Sequence, residues 1–501
     1  MIRYLTLWPT VSLLKPSNIW AVAMMRAVYK MPLFNQPIHL EKLSLHSLAK
    51  YLSDICVRLM ISCRTSSASL PEALATCQRL RCVIHDKIPY SMANRVTSEV
   101  LEYLGSRYDE VSDCIDHSSS CKDILQHFVN AILHPQVTEL DILGIHILIV
   151  NTVLDHIDTL SQLKIFRACV KCEESYDSFK HLLLQNLPSL KNLKCFTVPR
   201  WSSNEIIRVL FKSAPGLTHL DVSESKGVTD ESIDIILTFP SLQSLDVSKT
   251  GISKSGYKYL LDRSRSCLHL QDFGLNVVDS SDILSLPHCF QGLRRLSLNM
   301  GFNDIYLDNI AQLLQGVEEL KLSAFRVPSL PYFSTLKVLI LDVRELEDMG
   351  DLPKSCPCLE KLMINAFFLE CRVFTGSFTH LCRLSVSVCH TDTRSIDALL
   401  SAAPNLVTFH FNKEGSSLIF IAELLCDTFA IDRLKNLSMF SVNGCIDSKE
   451  LSCFMHKCSR LTTCETCGDA RELIKVWYQA CAGLIINEVK WCRMHLHHHR
   501  L

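Results

Sequence analysis

Apolar positions along the chain follow two alternating rhythms. In residues 215–252, Leu217, Leu220 and Val222 are spaced as L-x-x-L-x-V, and Leu242, Leu245 and Val247 repeat the phrase 25 residues later. The end of each phrase alternates apolar and polar, which predicts a short strand with one buried face. Between the copies, Ile233, Ile235 and Ile236 have helical spacing that returns the chain to the next strand. One such unit cannot cover its own apolar face, so neighbouring units must stack.

The same frame recurs from Val137 through Leu160, Leu190, Leu217, Leu242, Leu270, Leu293, Val317, Leu336, Leu359, Leu381, Leu406, Leu437 and Leu461, in steps of 19–31 residues. This resembles a leucine-rich repeat. The resemblance implies an α/β fold: a solenoid with a curved parallel sheet inside and helices outside. The family places Asn or Cys at the eighth residue after the first leucine; here that position holds Ser225, Thr250, Gly301, Arg344, Cys389, Glu414 and Cys445, which predicts uneven coils. The segments Val228–Ile233 and Thr391–Ile396 carry acids where a helix should begin, as in subtypes whose convex side is helical.

Ahead of the repeats the period is helical throughout. Leu40, Leu43, Leu45, Leu48, Leu52, Ile55 and Leu59 fall on one face of a first helix. A second helix is predicted over 71–85, a third after Ile88-Pro89 through Met92, Val96, Val100 and Leu104, and a fourth near 122–133. The organisation expected is an unstructured leader over 1–30, a helical adaptor-binding or capping module over 31–135, the solenoid over 136–469, and a C-terminal cap and tail over 470–501. The leader is basic, with no acidic residue before Glu41. A targeting segment, an unstructured extension and a working start at Met31 are the alternatives.

Composition narrows the function. The formal net charge is −1, which gives no global field to recruit nucleic acid or an anionic membrane. The 24 cysteines have no framework spacing and often stand at apolar positions, such as Cys195 and Cys464. That is how reduced, buried cysteines are used, and the expectation is the cytoplasm or nucleus. Motifs for phosphate binding, nucleophilic serine and zinc hydrolysis are absent from the sequence, so no enzyme and no cofactor is expected. Cys453, His456, Cys458, Cys464 and Cys467 include one pair at zinc spacing. Cys464 falls on an inward strand position, however, and no metal site is assigned.

The segment Tyr51-Leu52-Ser53-Asp54-Ile55-Cys56-Val57-Arg58-Leu59-Met60 resembles the elongin-BC box, with Leu52 and Cys56 on its L-x-x-x-C spacing, Met60 in the aliphatic place and Tyr51 a departure from the usual small residue. Ile88, Pro89, Val96 and Val100 look like the cullin-facing part of such a box, as in the Zyg/Zer family of receptors. Ile88-Pro89, Met92, Val96, Val100 and Leu104 also resemble an F-box, although the polar stretch 105–120 departs from it. Either resemblance implies a substrate-recognition subunit of a cullin-RING ubiquitin ligase. Leu48, Leu52, Cys56, Ile88, Pro89 and Val96 would then hold elongin-BC or a Skp-type adaptor. The alternatives are a helical cap over the open end of the solenoid, and a leucine-rich-repeat scaffold with no ligase connection.

Residues flanking the third apolar position of each phrase point away from the core. That assigns Asp221, Ser223, Asp246, Ser248, Asn276, Asn299, Lys321, Asn365, Asn412 and Asn443 to a concave face for a partner protein. A preference for basic segments near Asp221 and Asp246 is expected.

Overall fold

The computed structural model describes residues 38–65, 70–111, 119–169, 176–267, 270–276, 292–301, 304, 307, 314, 316–347, 349–371, 373–413, 436–443 and 463–466. The leader, most of the Cys453–Cys467 group and the C-terminal cap lie outside these residues. The chain divides into two compact units, Met1–Leu242 with Thr250–Ile252, and Gln243–Lys249 with Ser253–Leu501.

The first unit opens with helices α1 (Ile38–Thr65), α2 (Leu70–Lys87), α3 (Ala93–Val111) and α4 (Ser119–Ile132). Pro89 holds extended backbone at the entrance to α3, where a missing N–H costs nothing. Helix α1 packs on α3 and α4, and α2 on α4. Their buried stripes supply one core: Leu45, Leu48, Leu52, Cys56 and Met60 from α1, Val96, Val100 and Leu104 from α3, and Ile124 and Phe128 from α4. The buried Ser53 hydroxyl donates to the Val100 carbonyl at 3.3 Å, tying α1 to α3 through a polar contact inside that core.

Strands β1 (Glu139–Leu143), β2 (Ile165–Cys169), β3 (Cys195–Thr197) and β4 (His219–Asp221) follow in chain order, each parallel to the next. Helices α5 (Ile147–Asp155), α6 (Tyr176–Asn186) and α7 (Asn204–Ser213) fill the crossovers, and α8 (Ile233–Leu237) follows β4. Asn94 of α3 closes the first strand's edge. Its Oδ1 accepts from the Thr138 N–H at 2.8 Å and the Glu139 N–H at 3.3 Å, and its Nδ2 donates to Thr138 Oγ1 at 2.9 Å.

The register corrects two frame openings. Leu140, Phe166, Phe196 and Leu220 form one inward row. Counting back three residues places the openings at Leu163 and Leu193. Leu160 and Leu190 instead follow single 3-10 turns at Ile157–Thr159 and Leu187–Ser189. Both are buried, so hydrophobicity alone did not separate turn from strand. The shift also moves Cys195 to the outward face, where it is half-buried beside Thr197.

In the second unit, strands β5 (Ser244–Asp246), β6 (Asp272–Asn276), β7 (Arg295–Asn299), β8 (Glu319–Arg326), β9 (Val338–Glu347), β10 (Lys361–Glu370), β11 (Arg383–Thr391), β12 (Thr408–Lys413), β13 (Met439–Asn443) and β14 (Thr463–Thr466) again run parallel in chain order. The inward row runs Leu245, Phe273, Leu296, Leu320, Leu339, Leu362, Leu384, Phe409. Helix α9 (Lys254–Cys267) follows β5, the short α10 (Leu352–Ser355) precedes β10, and α11 (Thr393–Ser401) follows β11 with the Asp392 carboxylate capping the Ser395 N–H at 2.8 Å. Residues 327–337, between β8 and β9, contain no helix, so the coils are uneven.

Candidate functional site

One backbone choice decides what each coil shows to solvent. The seventh residue after the opening leucine has a left-handed backbone in some coils: Arg200 (φ 70°), Glu224 (φ 61°) and Lys249 (φ 57°). Such a conformation ends the strand, because L-residues visit it singly and do not propagate it. The next residue then turns inward: Trp201, Ser225 and Thr250 are all buried. Ser225 Oγ accepts from the Ser202 N–H at 3.1 Å, serving the turn where the family's Asn would.

The β8–β11 coils do otherwise. The corresponding seventh residues, Ala324, Val343, Ala366 and Val388, stay in the strand and point inward, so the eighth, Phe325, Arg344, Phe367 and Cys389, point outward. The register sets Arg344 between Phe325 and Phe367. Its guanidinium carbon lies 5.7 Å from the Phe325 ring centroid and 5.9 Å from that of Phe367. Both are within cation–π range. Phe367 and Phe368 are 41% and 43% exposed, and both rings meet His390, which stacks on Phe368 at 4.9 Å. A groove of about 720 Å³ runs beside this row, with Asn299, Ser323, Asp342, Arg344 and Phe367 among its walls. Arg326 over Phe325 is ion-paired with Glu345, and Arg295 with Asp272.

The polar rows named from sequence lie beside this one. Asp221 Oδ1 accepts from the Ser223 N–H and hydroxyl at 3.0 and 2.7 Å, and Asp246 Oδ1 accepts from the same groups of Ser248 at 2.9 and 2.6 Å. Both carboxylates are therefore used by their own turns, with Ser248 itself buried. A Cβ on Gly274 would stand 2.4 Å from the Asp246 carboxylate, so any larger residue there requires that side chain to leave its place in the turn. Asn276 Oδ1 accepts from the Lys249 N–H and from Asn299 Nδ2, both at 2.7 Å, and Asn412 Nδ2 donates to Ser387 Oγ at 3.1 Å. The amide pair Asn276–Asn299 stands two positions earlier than the family pattern puts its Asn. Lys321 and Asn365 are exposed. Asn443 lies in β13, paired with Asn412, and its side chain is outside the described residues.

The adaptor-binding set is not brought together on a surface. Leu48, Leu52, Cys56 and Val96 are 6%, 4%, 0% and 2% exposed, inside the four-helix core, while Ile88 is half-buried and Pro89 exposed. In the chain by itself, Leu52 and Cys56 face the module's own core. Spacings of three and four residues mark any packed helix face, and here α3 and α4 cover it. Burial pushes the Cys77 thiol up to about 12 and Cys56 well above its usual value, so both remain protonated. Among the described residues no group of His, Cys, Asp and Glu has metal-ligand geometry.

The row Phe325, Arg344, Phe367 was missed in the sequence. The available signal was the family departure at Arg344: a large residue at the turn position means that the strand has not yet ended.

These features define an α/β leucine-rich-repeat solenoid preceded by a small all-α module. No family model and no curated protein matches the sequence. Among solved structures, a yeast complex of Rad7 and Elc1 is similar over 81% of this chain and 90% of that one, at 15% identity and a TM-score of 0.44. A TLR13–ssRNA13 complex matches 67% of this chain and 57% of that one (14% identity, TM-score 0.35). The plant peptide hormone receptor RGFR1 in complex with RGF2 matches 67% and 56% (13% identity, TM-score 0.27). The chain spans little more than half the length of the latter two. No helix among the described residues is long and apolar enough to cross a membrane.

Proposed function

We propose that this chain is a non-enzymatic protein-recognition module whose partner docks on the outward face of β8–β11. The observation that carries the reading is the exposed cluster of Phe367, Phe368 and His390 beside Arg344. Aromatic residues and arginine concentrate at interface centres, and clustered exposed apolar surface marks interaction sites. Crosslinking of the full chain in cells, followed by mass spectrometry, tests it. Partners present with the native chain should be lost from the Phe367→Ala, Phe368→Ala variant. An unchanged set would remove the face from consideration.

The finer reading is a substrate receptor of a cullin-RING ubiquitin ligase, supported by a helical module placed before the repeats. With Leu52 and Cys56 buried, an adaptor meets first the exposed shoulder at Pro89 and Tyr90, the latter 70% exposed. The free, buried cysteines Cys56 and Cys77 support a reducing compartment, cytoplasm or nucleus. Purified elongin B–C and a purified Skp-type adaptor, each titrated against the full chain, should give one saturable complex that Tyr90→Ala weakens. Absence of both complexes returns the chain to a repeat scaffold with no ligase connection.

A further inference from the structure

Resting on the protein-binding reading above, we infer that the groove beside Phe367 takes an extended acidic segment of a partner protein. One carboxylate of the segment sits on Arg344, and an apolar side chain lies against Phe367. Three observations carry this.

First, Arg344 forms no ion pair among the described residues, whereas Arg295 and Arg326 have theirs in Asp272 and Glu345. Its guanidinium carbon lies 5.7 and 5.9 Å from the Phe325 and Phe367 ring centroids, with one ring on each neighbouring strand. A pre-positioned guanidinium with its donors unused is suited to a carboxylate. Second, Lys249 and Arg344 are the two cations among the groove's walls, and they stand against one acid there, Asp342, which suits a backbone N–H of the segment. Third, the groove has about 720 Å³ and has Asn299, Ser323 and Phe367 among its walls. Amides offer both a donor and an acceptor to an extended backbone, and the volume is that of a ligand cleft. Nucleic acid, the other polyanion, is disfavoured because two cations make a poor phosphate track and the net charge is −1.

Short random peptides displayed on phage and panned on the immobilised full chain test the inference. The selected pool should be rich in Asp and Glu next to an aromatic or aliphatic residue. A selected peptide should bind Arg344→Glu and Phe367→Ala at least about tenfold more weakly, with both variants melting like the native chain. A neutral or basic pool, no enrichment at all, or full affinity for Arg344→Glu overturns the inference. Arg344-dependent binding of a labelled oligo-dT also overturns it. If the acidic preference fails while the crosslinked partners still depend on Phe367 and Phe368, the protein-binding reading survives alone. If neither responds, both fall.

Discussion

Two stretches of this chain look equally suited to a partner in one dimension: the apolar stripe of α1 and the strands β8–β11. The structure separates them. Leu52 and Cys56 are sealed under α3 and α4, while Phe367 and Phe368 remain more than two-fifths exposed. The stripe is apolar because the module needs a core. The aromatic row is apolar where the fold has no need of it, and surface apolarity without a packing reason points to binding.

The largest test of this contrast is the double change Leu52→Ala, Cys56→Phe. Removing a buried leucine costs about 2–5 kcal/mol, and forcing a phenyl ring into the Cys56 site adds about 1–3 kcal/mol. Urea unfolding of the full chain should lose the helical module's transition at low denaturant. An unshifted midpoint means that the stripe faces a partner after all.

Gly274→Ala should destabilise the second unit by about 1–3 kcal/mol, because its Cβ meets the Asp246 carboxylate. Asp246→Ala in the same chain should recover most of the loss, since the obstructing group is then gone. Failure of that rescue would show that Asp246 does not require glycine as its neighbour.

Acidification sharpens the contrast from the module's side. Burial holds His85 and His134 below their ordinary value of 6.5. The unfolded chain therefore binds protons first as pH falls through that value, and stability decreases from there towards the lowered folded values. Thermal melts between about pH 7 and pH 5.5 should show the module weakening. The same melts with His134→Phe should show a shallower slope, and an equal slope would remove His134 as a cause.

Smaller effects belong to the strand coils. Lys249→Gly relieves a left-handed backbone and should raise stability by about 0.5–1 kcal/mol. Phe367→Ala should change stability by no more than about 0.5 kcal/mol, against the several expected at Leu52. A large loss at Phe367 would make the aromatic row part of the core and collapse the comparison.

Much of this architecture was legible in the residues. The periodicity located the helices and nearly every strand, because each coil needs a large apolar residue at its inward position. Leu160 and Leu190 misled because a buried turn and a buried strand both demand leucine, and only strand pairing tells them apart. The outward assignment of Asp221, Asp246 and Asn299 follows from strand alternation. Their engagement in local turns does not, since it depends on side-chain torsions and on the glycine at 274 in the next strand.

The sequence by itself determined the repeating coil, the helical module before it and the inward rows of leucine and phenylalanine, because burial imposes period and period is one-dimensional. Only the tertiary structure decided which apolar stretch is covered and which is open. Whether Leu52 or Phe367 meets solvent depends on what packs across from it, on α3 and α4 in one case and on the unbroken strand through Ala366 in the other. Those neighbours lie tens of residues away or turn on a single backbone angle, and neither is written in local hydrophobicity.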